Sequence, residues 1–97
     1  MKLTDATEGK EYIVNSINTK DEELNAFLFS LGCYSGEPIT VISRKHGGMV
    51  VSIKDGRYNI DSQLSDAIEV YLKISGRYYF VIGDVSRIIL YIIVSES

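Results

Sequence analysis

Apolar positions repeat with two different periods along the chain. Leu24, Phe27, Leu28 and Leu31 fall at i, i+3, i+4 and i+7. That spacing puts them on one face of a helix and predicts a helix over 20–31. Thr19 followed by Glu22 has the spacing of a capping box. Gly32 follows the last apolar position, where a helix stop belongs. Elsewhere the period is two. In 68–74, Ile68, Val70, Leu72 and Ile74 alternate with Glu69, Tyr71 and Lys73, the mark of a strand with one buried face. Residues 39–45 alternate in the same way from Ile39 and Val41. Residues 11–17 are rich in β-branched and aromatic types and read as a first strand, while 49–54 and 57–60 read as strands from the hairpin turns that bound them.

Between these runs lie turn signals. Pro38 opens a strand where its missing N–H does least harm. Lys45-His46-Gly47-Gly48 reads as a hairpin loop and Asp55-Gly56 as a two-residue hairpin turn. Asp61 is placed to cap a short helical turn over 61–67. One helix and five short strands joined by tight turns predict a mainly β domain, a small closed barrel over 1–74. Closure removes the strand edges that make small sheets aggregate.

A C-terminal extension, 75–97, follows the break at Ser75-Gly76. Residues 77–82 and 87–95 read as two strands around Gly83 to Ser86. From Ile88 to Val94 the apolar run barely alternates. A strand apolar on both faces needs cover on both. The extension therefore folds back on the barrel core, or presents a patch to a partner. A second copy of the chain is one such partner, through a shared hairpin and a two-fold dimer.

Composition narrows the function. The 97 residues are 45% hydrophobic and 24% charged, ordinary for one globular domain. The net charge of −3 lacks the basic footprint that nucleic-acid binding needs. The acids concentrate early, with Asp21, Glu22 and Glu23 suited to the positive end of a helix. Met1 to Lys10 is polar and unlike a signal peptide, which makes the cytoplasm the expected compartment. The apolar C-terminal stretch is broken by Asp84 and Arg87. A membrane span takes about 20 nearly unbroken apolar residues, so no membrane insertion is expected.

Little in the chain suggests chemistry. Cys33 and His46 are the soft metal ligands apart from methionine. A structural metal site takes three or four converging ligands. Cys33, after a helix stop, reads more simply as a small core residue, and His46 as a solvated hairpin tip. Asp61, with Asp66 and Glu69, is the remaining metal candidate, yet a helix cap accounts for Asp61. No phosphate loop or serine triad is legible, no cofactor is called for, and catalysis is not expected. Arg44, Lys45, Lys54 and Arg57 cluster about two hairpins, as a solvated rim or as a face for an acidic partner. The seven tyrosines are too many for so thin a core. Tyrosine suits interfaces, and Tyr34, Tyr58, Tyr78, Tyr79 and Tyr91 are the expected partner-binding positions.

The run from Phe27 through Leu31-Gly32-Cys33-Tyr34-Ser35-Gly36 to Val41 resembles the signature of the FeoA family: leucine, glycine, an apolar residue, two residues, glycine, then an apolar strand. Asp55 to Ile60 and Leu64 to Val70 resemble its second block. The likeness extends over about residues 1–73. The family more often has isoleucine or methionine where Cys33 stands and a proline-containing loop where Gly47-Gly48 stands. Residues 75–97 have no counterpart in its short members. The resemblance implies an SH3-like barrel, akin also to the C-terminal domain of iron-dependent repressors. It implies an accessory or regulatory protein of ferrous iron transport that binds the cytoplasmic side of a FeoB-type transporter. A metal-responsive sensor domain and a self-associating structural module are the alternatives.

Overall fold

In the computed structural model of the protein, residues 1–74, 76–82 and 89–93 are described, with side chains described for residues 1–73 and 76–77. The strands are β1 (Glu11–Ile17), β2 (Pro38–Lys45), β3 (Gly48–Ile53), β4 (Gly56–Asp61), β5 (Ile68–Ile74), β6 (Arg77–Ile82) and β7 (Ile89–Ile93). The helices are α1 (Glu22–Leu31) and α2 (Ser62–Ala67), and a 3₁₀ turn spans Leu3–Asp5. All strands join one antiparallel sheet in the order β4-β3-β2-β1-β5-β6-β7.

Five of these strands, β1 to β5, form the SH3-like barrel that the sequence implied. Its closure is not the all-strand ladder expected. No β4–β5 ladder occurs among the described residues. Instead α2 connects the two strands and packs on β3, β4, β5 and the 3₁₀ turn. Asp61 caps α2, its Oδ1 accepting from the Leu64 amide at 2.8 Å, so the expected cap forms. The 3₁₀ turn is a contribution the polar N-terminus did not suggest: Leu3 and Ala6 are both buried. Thr4 Oγ1 ties this turn to α2 through Ser65 and Asp66.

The alternating residues supply the core. Ile39, Val41, Val51, Ile53, Ile68 and Val70 are buried with Leu3, Val14 and Leu28. Burying each such side chain contributes about 1.5–3 kcal/mol. The alternation in β2 holds through Ile42, which is exposed on the face opposite Ile39 and Val41. The register then shifts between Val41 and Ser43, a bulge that bends the strand and strengthens its twist.

The outer edge of β5 is covered twice over. The Val70 amide bonds the Met1 carbonyl at 2.8 Å, and Lys2 bridges Glu69. Further along, Leu72, Lys73 and Ile74 pair with Tyr79, Tyr78 and Arg77 of β6. β7 then pairs with β6, Tyr91 facing Phe80. The C-terminal strands thus extend the sheet. Which face of them is covered lies outside the described side chains.

Candidate docking site

The firmest surface feature is built where α1 stops. Its N-cap is Asp21, whose carboxylate accepts from the Glu23 and Leu24 amides at 3.0 and 3.2 Å. Thr19, the expected cap, instead accepts from the Asp21 amide. Asp21 displaces it because aspartate caps at least as well and stands one turn before Leu24, the first leucine of the helix packed on the core. At the other end Gly32 takes φ 93°, and the Gly32 and Cys33 amides both return to the Leu28 carbonyl. A left-handed residue here favours glycine.

That stop throws the chain back toward β1. The Gly36 amide bonds the Val14 carbonyl at 2.8 Å, and the Val14 amide bonds the Glu37 carbonyl at 2.9 Å. At the other end of the loop Cys33 is buried in the core cluster. Burial pushes its thiol up to about 11, because an apolar site disfavours the thiolate. The loop between the anchors presents Tyr34, whose ring lies 4.8 Å from that of Phe29 at an interplanar angle of 32°.

Opposite stands the β3–β4 turn. Gly56, expected within the turn, is the first residue of β4; the turn residues are Lys54 and Asp55, with Lys54 at φ 52°. The Lys54 side chain crosses Gly32 so closely that a Cβ there would stand 2.8 Å from Lys54 Cε. Its Nζ reaches Glu37 Oε2 at 3.2 Å and lies 5.4 Å from the centre of the Tyr34 ring. The hydrogen bond to Glu37, then that to Tyr34, raises the Lys54 pKa above its ordinary value. The Tyr58 ring folds over Gly56, where a Cβ would stand 2.3 Å from its hydroxyl oxygen.

Between these two walls runs an open groove of about 660 Å³, lined by Phe29, Tyr34, Lys54 and Tyr58 among others. Phe29 is 65% exposed and Phe27, on the neighbouring helix surface, 49%. Large exposed aromatics beside a concave surface of mixed polarity have the chemistry of a contact site. The groove brings together Tyr34 and Tyr58, two of the expected partner-binding residues. Tyr78, Tyr79 and Tyr91 fall on β6 and β7, and their side chains lie outside those described.

Sequence reading overlooked Phe29 and put Phe27 on the buried face. The face actually buried is narrower: Leu28 fully, Leu24 and Leu31 in part. Phe29 lies off that stripe, and a large apolar residue off the stripe was the available signal.

The metal candidates are dispersed by role. His46 is exposed in the β2–β3 turn, Asp61 caps α2, and Cys33 is enclosed. Among the described residues no three His, Cys, Asp or Glu side chains are grouped to hold a metal ion. Among those residues, too, no helix is long and apolar enough to cross a membrane.

Five barrel strands, a short helix across the seam and one longer helix beside an aromatic groove define an SH3-like domain. The model of the FeoA domain matches residues 1–72, and the chain belongs to the FeoA family, whose members are associated with ferrous iron transport. Among solved structures the chain is similar to the crystal structure of an iron uptake regulatory protein (FeoA). The two share 24% sequence identity over 72% of this chain and 92% of that one, with a TM-score of 0.65. That likeness speaks for the fold. No curated protein matches the sequence.

Proposed function

We propose that the chain is a cytoplasmic accessory protein of ferrous iron transport that docks on a FeoB-type transporter and works by binding, not by catalysis. The observation that carries this reading is the groove, with Phe29 exposed at its rim and Tyr34 and Tyr58 in its walls. Family membership supplies the transport context. Tyrosine and phenylalanine give large contact area with few rotatable bonds, which favours them as anchors. A bound accessory protein alters a transporter's cycle by holding its states with unequal affinity.

Calorimetry of the full chain with the cytoplasmic portion of a FeoB-type transporter tests the proposal. Binding is expected, and Phe29→Ala weakens it by at least about tenfold, as loss of an interface anchor does. No heat at tens of micromolar of either partner would overturn it.

A further inference from the structure

The groove is bordered by a strand whose outer side has no partner among the described residues. β4 ends the sheet on its side. Its two-residue turn closes on the pair Ile53 and Gly56, and the register continues through Ser52–Arg57, Val51–Tyr58 and Val50–Asn59. In an antiparallel ladder, hydrogen-bonded and non-hydrogen-bonded pairs alternate. Starting from a bonded closing pair, Arg57 and Asn59 are the residues whose N–H and C=O point away from β3. The same phase follows from the other end, where the Ser62 amide bonds the Gly47 carbonyl at 3.0 Å just beyond the pair Gly48–Asp61. Neither Arg57 nor Asn59 makes a further backbone or side-chain hydrogen bond within the described residues. The outer edge of β5, by contrast, is covered by Met1, Lys2 and β6.

Charge indicates what fits this edge. Residues 38–60 hold four bases against one acid, while the rest of the chain holds six bases against twelve acids. Within that basic unit Lys54 is engaged by Glu37 and Arg44 by the Ala6 carbonyl. Arg57 is exposed, stands on the β4 edge and has no ionic partner among the described residues.

We propose that β4 accepts an extended, acidic and apolar segment of a partner protein as an added strand, with one of its apolar side chains entering the groove beside Tyr58. This rests on the docking reading above and names the chemistry of what docks. Main-chain bonds to Arg57 and Asn59 hold the segment, and the groove and Arg57 select its side chains. An acidic residue meets Arg57, where opposite charge steers association and lysine is rejected.

The test uses the full chain and a defined probe: a blocked octapeptide of alternating leucine and glutamate, titrated while amide shifts and hydrogen exchange are followed by NMR. Slowed exchange at the Arg57 and Asn59 amides is expected, with shifts at Phe29 and Tyr58. The matching leucine–lysine peptide binds at least about tenfold more weakly. Asn59→Pro removes an outward N–H without touching the β3 ladder and abolishes the slowing. Should that variant disturb the fold, a probe N-methylated at alternate residues does the same from the other side. No slowing at Arg57 and Asn59 at millimolar probe overturns the proposal, as does equal binding of the lysine peptide or of both N-methylated registers. A chain that binds the transporter portion yet ignores the probe keeps the docking reading and ends this one. A chain that adds the probe at β4 yet ignores the transporter portion does the reverse.

Discussion

At the residue scale, burial and backbone room decide what each side chain does. Cys33 shows this by its acidity. Burial raises its thiol from an ordinary value of about 9.0 to about 11 in the fold, so the folded state holds its proton where the unfolded chain has released it. Its contribution to stability is full below about pH 9 and is lost as pH rises toward about 11. Native protein at pH 8 should therefore alkylate slowly at Cys33, and unfolded protein at the rate of a free thiol. Fast native alkylation would contradict the enclosed site. The glycines make a second case. A Cβ on Gly48 would stand 2.4 Å from the Ile60 carbonyl oxygen, whereas one on Gly47 meets nothing within 4 Å. Gly47→Ala carries only the cost of a left-handed residue, about 1–2 kcal/mol. Gly48→Ala must push β4 aside and costs more, which denaturant titration of the two variants would show. Lys54 also sits in the left-handed region, at φ 52°. Lys54→Gly relieves that conformation and leaves stability equal or slightly higher, while opening the strap between the groove walls.

At the element scale, local signals agreed with the fold wherever one face of the element was buried. Alternation set β3 and β5 correctly because every second residue enters the core. The stop of α1 was legible because only a left-handed residue ends it cleanly, and glycine stood there. Its start was misread by two residues. Two capping residues compete near that end, and a spacing rule alone does not choose between them. Asp21→Ala should cost about 1 kcal/mol, the usual value of a cap. Thr19→Ala should cost less, since Thr19 holds only the Asp21 amide. The bulge in β2 and the 3₁₀ turn were not legible, because both arise from tertiary packing: Arg44 Nη1 bonds the Ala6 carbonyl at 2.6 Å, and the Gly9 amide bonds the Val41 carbonyl at 2.7 Å. Half of the candidate site was legible for a related reason. Tyr34 and Tyr58 stand out by type and position, but that they share one groove depends on the turn of Gly32 toward Lys54.

At the scale of the whole molecule, the buried core and the groove found among the described residues lie within residues 3–70, and the family match ends at residue 72. We propose on these grounds that 1–74 folds without the C-terminal strands. Its unfolding should stay cooperative, with native amide shifts around the groove; collapse of those shifts would make β6 and β7 part of the core. The mass of both chains in solution then shows whether β6 and β7 carry a two-fold dimer. The groove is where a transport partner should land. The direct measurement is hydrogen–deuterium exchange of the full chain with and without the cytoplasmic portion of a FeoB-type transporter. Protection confined to residues 27–37 and 53–60 is predicted. Binding that protects the acidic start of α1 or the β2–β3 turn, and leaves the groove unprotected, would contradict it.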